Sequence, residues 1–376
     1  MKTNPSFSIE EKITNTPIAK KVKATTKNFE ITPTSPNIKD HIQGKKHIHL
    51  SAKRGEIMNL CASLDNEYIC CAVHVLHVVS NCPYNCTYCF LQNYLTNNTL
   101  SVVADTKAII KEIKQKIKAQ PWRLFRIGTW ELGDSLALEP HTNQSQELAQ
   151  SFATLPNALL DLRTKSDLVD NLLPLDHKQK TIVSWTLNTK TIINKEELKT
   201  ANLTQRLAAM KKTTDAGYLT SIHFDPMILY DNWEADYSDL VKELFQKIPS
   251  NKIAWISIGS LRFNPEMKKL LEQNYPSSKL TAQEMIAGTD NKMRYAKPLR
   301  LKMYQHLLKE IKKYQGSEEI LIHLCMERWD VWKKLFGTYP KSIAELDYNF
   351  ANSLHQRFPQ IVPQTPNLKK YLENTY

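Results

Sequence analysis

The chain has 376 residues, of which 41% are hydrophobic and 23% charged. No run approaches the roughly 20 uninterrupted apolar residues of a membrane-spanning helix, and the N-terminus lacks the apolar core of a secretory signal. We therefore expect a cytoplasmic protein without a membrane partner. A formal charge of +12 favours nucleic acid as partner, DNA before RNA, although a lysine surplus that serves only solubility is the alternative.

The first 56 residues form a basic segment with scattered apolar positions and no sustained period. The stretch from Lys20 to Arg54 contains nine Lys and Arg residues and two acidic residues, Glu30 and Asp40. Such composition is typical of chain that cannot bury a core by itself. We predict a basic, partly disordered N-terminal segment over 1–56, with a mobile tail over about its first 40 residues.

From residue 57 to 290 short apolar runs alternate with amphipathic stretches. A β-branched strand at 73–79 leads into a cysteine-rich loop, and Asp105 caps a helix that ends before Pro121. Further strands are predicted at 124–128, 159–162, 181–187, 219–224 and 253–258, with helices around 144–154, 166–173, 204–215, 235–247 and 264–275. Strands separated by single helices predict an α/β fold with a parallel sheet curved into a partial (β/α)6 barrel.

The predicted barrel locates the chemistry, because functional residues of parallel sheets collect at the carboxyl ends of the strands. The cysteine loop falls at such an end. So does His223-Phe224-Asp225-Pro226, where His223 and Asp225 are candidates for proton transfer or substrate binding and a structural turn is the alternative. Residues 291–376, with an apolar run at 320–325, are predicted to form a mostly helical C-terminal extension.

Three of the seven cysteines lie within eight residues, as Cys82-Pro-Tyr-Asn-Cys86-Thr-Tyr-Cys89. Thiolates at spacings of four and three can bind one iron–sulfur cluster and leave one iron open to a small molecule. A zinc site is the competitor, but structural zinc normally takes four protein ligands and no second Cys-x2-Cys pair is present.

The Cys-x3-Cys-x2-Cys loop after a first strand, with Tyr88 and Phe90 around the last cysteine, resembles the radical-SAM superfamily. The resemblance implies a [4Fe–4S] cluster on Cys82, Cys86 and Cys89, with S-adenosylmethionine (SAM) chelating the fourth iron. It also implies reductive cleavage of SAM to a 5′-deoxyadenosyl radical and an electron donor such as flavodoxin or ferredoxin.

A second resemblance, spanning roughly residues 70 to 280, is to the spore photoproduct lyase family, radical-SAM enzymes that reverse a thymine dimer in DNA. The motifs that carry it are Cys-x3-Cys-x-Tyr-Cys-Phe-Leu-Gln (82–92), Asp-Ser-Leu-Ala-Leu (134–138), Thr164-Lys165, Trp-Thr-Leu-Asn-Thr (185–189), Arg-Leu-Ala-Ala (206–209), Ala-Gly-Tyr (216–218) and Arg262-Phe263. This resemblance implies an enzyme acting on nucleic acid or a nucleotide-like substrate.

Carried over by position, the resemblance implies roles for five residues outside the cysteines. Lys165 and Thr186 fall where the family contacts the SAM carboxylate, and Asn188 follows in the same motif. Glu131 resembles an acidic residue that grips the SAM amino group, beside Gly128, which allows close backbone approach. Tyr88 falls where the family places a tyrosine proposed to relay a hydrogen atom; a shielding aromatic is the alternative.

One departure puts lesion repair in doubt. The family's hydrogen-donating cysteine lies shortly after the second strand, where this chain has Thr129-Trp130-Glu131, and there is no cysteine between Cys89 and Cys325. Either Cys325 substitutes for it or the reaction differs. Two other hypotheses stay open: a radical-SAM enzyme acting on a peptide or small metabolite, and a non-catalytic nucleic-acid-binding metalloprotein.

Overall fold

The computed structural model of the chain describes residues 5–61, 67–317 and 319–374. Within these ranges the strands are β1 (Ser6–Glu10), β2 (Phe29–Thr32), β3 (His47–Ser51), β4 (Met58–Leu60), β5 (Tyr68–Ile69), β6 (His74–Leu76), β7 (Val79–Ser80), β8 (Asn85–Cys86), β9 (Leu100–Val103), β10 (Phe125–Gly128), β11 (Ala158–Thr164), β12 (Thr181–Thr186), β13 (Glu197–Leu198), β14 (Leu219–Met227), β15 (Ile253–Ser260), β16 (Arg262–Phe263), β17 (Ile286–Ala287), β18 (Met293–Arg294), β19 (Leu321–Leu324) and β20 (Glu327–Arg328). The helices are α1 (Pro17–Thr25), α2 (His41–Gly44), α3 (Leu91–Tyr94), α4 (Thr106–Ala119), α5 (Glu139–Thr142), α6 (Gln144–Phe152), α7 (Lys190–Glu196), α8 (Leu203–Asp215), α9 (Trp233–Lys247), α10 (Pro265–Asn274), α11 (Lys297–Tyr314), α12 (Trp329–Phe336), α13 (Ile343–Arg357) and α14 (Leu368–Glu373).

The central feature is an eight-stranded sheet in the order β19-β15-β14-β12-β11-β10-β6-β4, curled into a half-barrel. All neighbours from β6 to β19 are parallel, and β4 pairs antiparallel to β6 at the edge. The strands from β4 to β19 neighbour one another in chain order, with the intervening helices and loops as crossover connections. The predicted α/β partial barrel is therefore confirmed.

The sheet has one apolar face and one polar face. Side chains such as Val183 and Ile222 lie on the apolar face, where α8 packs against β12 and β14. The opposite face, here called the lumen face, carries cross-strand partners that are polar and mostly buried: Arg163 with Ser184 and Ser221, and Thr186 with His223, Ser257 and His323. A polar interior of this kind is suited to a ligand rather than to packing alone.

The N-terminal segment differs from its prediction. From residue 5 onward it is folded: β1 and β3 lie in a five-stranded sheet of order β2-β1-β3-β9-β7, so the prediction of a mobile tail is wrong for these residues. Ile9, Ile18 and Val22 are fully buried. Their spacing gives no local period because elements distant in the chain bury them: β1 pairs with β2 and β3, and α1 packs against α5.

Two further details differ from the sequence-based expectations. The apolar run at 320–325 forms β19, a seventh parallel strand beside β15, instead of belonging to a helical extension. No helix forms over 166–173, because Thr164 Oγ1 accepts the Ser166 N–H at 2.9 Å and Ser166 Oγ accepts the Leu168 N–H at 3.0 Å. The domain limits at residues 56 and 290 stay predictions.

Candidate active site at the carboxyl edge of the half-barrel

The three cysteines lie in a loop that is anchored at both ends. Asn81 adopts a left-handed conformation, which Asn tolerates well, and its Oδ1 accepts the Cys82 N–H at 2.7 Å. Cys86 lies in β8, which pairs antiparallel with β13 opposite Glu197. The Cys89 N–H donates to the Cys86 carbonyl at 3.1 Å. The three thiols are close enough for the charges on Cys86 and Cys89 to raise the pKa of Cys82, after the larger effect of burial.

Burial is the first cause of a raised pKa at all three thiols. It raises the pKa of Cys86 to about 12, although the nearby Lys165 ammonium opposes the shift. The pKa of Cys89 is raised for the same reason, against the effect of Lys45. Because metal ligation requires the thiolate, loading the site releases protons.

Lys45 is a site residue that the sequence analysis missed. Its ammonium group donates to the Tyr84 carbonyl and, at 2.8 Å, to Asn85 Oδ1, and the residue is only 5% exposed. Burial lowers the pKa of Lys45, while Cys82, Cys89 and Cys86 oppose that change. A cation from the N-terminal segment therefore lies beside all three cysteines, where it would offset the negative charge of a thiolate-bound group.

The donor chemistry of the loop bears on the metal group that it could hold. In the described part of the chain no three His, Cys, Asp or Glu side chains lie close enough together to share one ion. Zinc requires ligand atoms at about 2.0–2.3 Å from one centre. In an iron–sulfur cluster each cysteine binds a different iron atom, so three thiolates surround the cluster instead of meeting at one point. Three cysteine thiols match the donor set of such a cluster with one iron left open.

A buried ion pair supports the loop from below. The guanidinium of Arg206, on α8, lies 2.6 Å from the carboxylate of Glu197, and both side chains are 0% exposed. Tyr88 donates its hydroxyl hydrogen to the same carboxylate. Neither Glu197 nor Arg206 was predicted as a site residue. Arg206 begins one of the family motifs (206–209), but nothing in the sequence pairs it with Glu197.

Lys165 lies between the cysteine loop and the ends of β10 and β11. Its Nζ is 5.8 Å from the centre of the Tyr88 ring, and its backbone N–H donates to Asp134 Oδ2 at 2.7 Å. Burial lowers the pKa of Lys165, but Cys86 and Glu197 outweigh burial and leave it above its ordinary value. The structure thus brings the predicted Lys165 and Tyr88 together with the cysteines.

The other predicted cofactor residues are more fully engaged by the protein itself. Glu131 lies 2.7 Å from His77 Nε2 and is half-buried. Thr186 lies on the lumen face opposite His223, and its carbonyl accepts from Arg206. Asn188 donates to the Pro226 carbonyl at 3.0 Å and accepts from Tyr237 at 2.8 Å, so its amide is occupied.

Gly128 has a different neighbour from the one expected. A Cβ atom there would lie 2.1 Å from Trp130 Nε1, so the close approach that glycine permits is made by the indole of Trp130. The same indole donates to Asp161 Oδ2 at 3.0 Å, and the Arg163 guanidinium lies 3.6 Å above its ring. The glycine therefore makes room for a protein side chain on the lumen face.

Cys325 follows β19 directly and lies near the carboxyl edge of the sheet. Arg262 forms two hydrogen bonds with the Asp225 carboxylate, at 2.8 and 3.0 Å, and its Nη2 lies 3.3 Å from Cys325 Sγ. Burial, followed by Asp225, raises the pKa of Cys325, so the thiol keeps its hydrogen at neutral pH. The end of β14, the start of β16 and the residue after β19 thus form a second cluster at this edge.

A parallel half-barrel whose first strand leads into a Cys-x3-Cys-x2-Cys loop at the carboxyl edge defines a radical-SAM enzyme. The family model for spore photoproduct lyase matches residues 5–322, and the chain belongs to that family. The match includes the N-terminal strands and ends within β19, so it reaches both regions that the sequence analysis left outside the barrel.

Curated relatives agree with this assignment. A spore photoproduct lyase from a Geobacillus species is 25% identical over 216 residues, which are 57% of this chain and 63% of the relative. The spore photoproduct lyase of Bacillus subtilis is 24% identical over 257 residues, covering 67% of this chain and 75% of the relative. The match thus spans less than two thirds of the first relative's length.

Solved structures show the same fold. A spore photoproduct lyase complexed with dinucleoside spore photoproduct has a TM-score of 0.75 at 18% identity, covering 86% of this chain and 99% of that one. A variant lyase with bound AdoMet and dinucleoside spore photoproduct also has a TM-score of 0.75, over 86% of this chain and 98% of its own. None of the helices in the described ranges combines the length and apolar character that crossing a bilayer requires.

Proposed function

We propose that this protein binds a [4Fe–4S] cluster through Cys82, Cys86 and Cys89 and cleaves SAM to start radical chemistry on nucleic acid or a nucleotide-like substrate. The observation that carries the proposal is the group of three thiols beside Lys45 and Lys165 at the carboxyl edge of a family-matched half-barrel. A cluster bound there supplies the electron for reductive cleavage of SAM to 5′-deoxyadenosine.

The chain's own residues position the reactants. The Lys165 ammonium would hold the SAM carboxylate with help from Thr186, and Glu131 would hold the amino group by exchanging its contact with His77. Tyr88 shields the loop and is the candidate for hydrogen relay. Asn188 would act through the turn that it fixes, because its amide is already occupied. A flavodoxin or ferredoxin is the expected electron source.

The substrate proposal uses the relatives and the charge. Solved family members hold a dinucleoside spore photoproduct, and the net charge of +12 suits a phosphodiester backbone. If the substrate is that lesion, we propose Cys325 as the hydrogen donor. Its S–H would transfer one hydrogen atom to the product radical and leave a thiyl radical. Tyr88 O–H would return a hydrogen atom to that thiyl, and the tyrosyl radical would take one from 5′-deoxyadenosine, which would restore the 5′-deoxyadenosyl radical.

Anaerobic reconstitution tests the proposal. Wild-type protein supplied with iron and sulfide should become brown, bind about four irons, and release 5′-deoxyadenosine from SAM when dithionite is added. Cys86→Ala should abolish both properties, whereas Cys61→Ala, at a cysteine outside the loop, should retain them. A colourless zinc protein whose DNA affinity ignores SAM would instead identify a non-catalytic nucleic-acid-binding metalloprotein. SAM cleavage that is stimulated by a peptide or metabolite, with no DNA binding at any salt concentration, would instead identify an enzyme that acts on a peptide or small metabolite.

A further inference from the structure

A continuous hydrogen-bonded chain crosses the lumen face over three strands. Asp161 Oδ1, on β11, accepts from Ser184 Oγ on β12. Ser184 Oγ lies 2.6 Å from Ser221 Oγ on β14, and Ser221 Oγ lies 3.0 Å from His223 Nε2. None of the four residues is more than 2% exposed. The proposed function assigns no role to this series of hydrogen-bonded side chains.

The direction of every hydrogen bond in the chain follows from its first member. The Asp161 carboxylate only accepts, and it is held by the indole N–H of Trp130 at 3.0 Å and by Arg163 at 3.7 Å. Ser184 must therefore donate to Asp161, so its oxygen accepts from the Ser221 hydroxyl. The Ser221 oxygen in turn accepts the Nε2–H of His223.

This order fixes the tautomer of His223. A neutral imidazole carries one N–H, so a proton on Nε2 leaves Nδ1 with a bare lone pair. Burial is the largest cause that holds the pKa of His223 well below its ordinary value, and the nearby Arg163, His323 and Lys165 lower this pKa further. His223 therefore stays neutral, and Nδ1 is an acceptor with a fixed direction.

Within the described residues, Nδ1 of His223 is buried and has no hydrogen-bond partner. A buried acceptor without a partner costs about 1–3 kcal/mol, so such atoms normally meet a ligand or water. A buried acceptor of fixed direction on this polar face calls for a ligand group that carries an N–H. The proposed substrate offers such a group in the imide N–H of a pyrimidine base.

We propose that His223 Nδ1 accepts the imide N–H of a thymine-type base that enters the half-barrel. This inference rests on the proposed function, and it names the substrate group that the lumen face reads. The Asp161–Ser184–Ser221 chain acts as the positioning element, because it keeps the proton on the far nitrogen of the imidazole.

The tautomer gives a test without turnover. Protein labelled with ¹⁵N-histidine should show His223 neutral and protonated at Nε2, with the signal assigned by its loss in His223→Asn. Ser221→Ala should shift it toward a mixture of tautomers. Ser257→Ala changes a buried lumen-face serine outside the chain and should leave the tautomer unchanged. A His223 signal protonated at Nδ1 in the wild type would refute the proposed order.

Binding gives the second test. The ligands are the dinucleoside spore photoproduct and the same compound methylated at its imide nitrogens, measured by calorimetry on the as-isolated protein. The wild type should bind the unmethylated compound about tenfold more tightly, the value of one to two hydrogen bonds. Ser221→Ala should reduce that ratio toward one, and Ser257→Ala should preserve it. A wild-type ratio near one, including absence of binding to both compounds, would overturn the inference. Failure of SAM cleavage in the reconstituted protein would overturn the proposed function while leaving both results on His223 unaffected.

Discussion

The buried ion pair beneath the cysteine loop gives the sharpest stability prediction. The Arg206 guanidinium contacts Glu197 at 2.6 Å and also donates to the carbonyls of Ala201 at 2.8 Å and Thr186 at 2.9 Å. Arg206→Met keeps much of the apolar volume and removes all of these donors. Glu197 then remains buried with Tyr88 as its hydrogen-bond donor.

The expected loss of stability is about 3–5 kcal/mol, the cost of leaving one charge of a fully buried pair without its partner. Burial by itself raises the pKa of Glu197, yet Arg206 and Lys165 now hold it below its ordinary value. Without Arg206 the folded-state pKa rises above the unfolded value. Folding then favours the protonated carboxyl, so the penalty should shrink as the pH falls through the raised folded-state pKa toward the ordinary value of a glutamate, and grow as the pH rises.

Urea unfolding of the as-isolated protein at pH 7 and at pH 5 measures both effects. Lys211→Met serves as the matched control, because its partner Asp215 lies on the same helix end and both side chains are more than half exposed. Its loss should stay within about 0.5 kcal/mol. Adding Glu197→Gln to Arg206→Met should recover part of the stability. A loss below about 1 kcal/mol for Arg206→Met, or no recovery in the double variant, would refute the reasoning.

Three further predictions follow from single residues. Lys45→Gln removes the cation beside the cysteines and should lower the reduction potential of the reconstituted cluster by about 59 mV. At a fixed solution potential the reduced fraction would be about tenfold smaller, which a titration monitored by EPR measures. Cys325→Ala should keep SAM cleavage but reduce repair of the dinucleoside lesion by about tenfold or more, measured by chromatography of the products. Burial raises the pKa of Glu139 to about 7, from an ordinary value of 4.5. Folding therefore takes up a proton between these two pH values, and the free energy of unfolding should fall by about 3 kcal/mol as the pH rises from 4.5 to 7. Glu139→Gln should flatten this part of the curve of unfolding free energy against pH.

A control variant or a contrary result checks each of these three predictions. Lys46→Gln changes the exposed neighbour of Lys45 and should leave the potential unchanged; an unchanged potential in Lys45→Gln, or equal shifts in both variants, would assign Lys45 a purely structural role. Unimpaired lesion repair by Cys325→Ala would exclude that thiol as hydrogen donor. An unaltered pH slope in Glu139→Gln would place the pH dependence of stability elsewhere.

The barrel was predictable because its strands are buried on both faces. The run from Thr181 to Thr186 is fully buried and rich in β-branched residues, which marks a central parallel strand without reference to the rest of the chain. The N-terminal strands gave no such signal, since Ile9 becomes a core residue only through a sheet that includes β9. A local pattern cannot report a partner that distant.

The site was predictable where a motif carried it and hidden where tertiary structure assembled it. The cysteine spacing identified the loop, and Lys165 was found near it as the resemblance implied. Lys45 looked like one of many lysines in a basic segment, because only the fold brings its ammonium group to the cysteines. The hydrogen-bonded chain to His223 was also hidden, since it joins side chains from three strands that have no common motif.

The pairing of β5 with β20 joins residues about 260 positions apart, so it can form only late in synthesis of the chain. The cysteine loop leaves the ribosome more than 200 residues before Cys325. At about 5–20 residues per second, translation of that interval lasts roughly 10 to 50 s. For that time the sheet beside the cysteine loop lacks its last parallel strand, β19, so its edge at β15 stays unpaired.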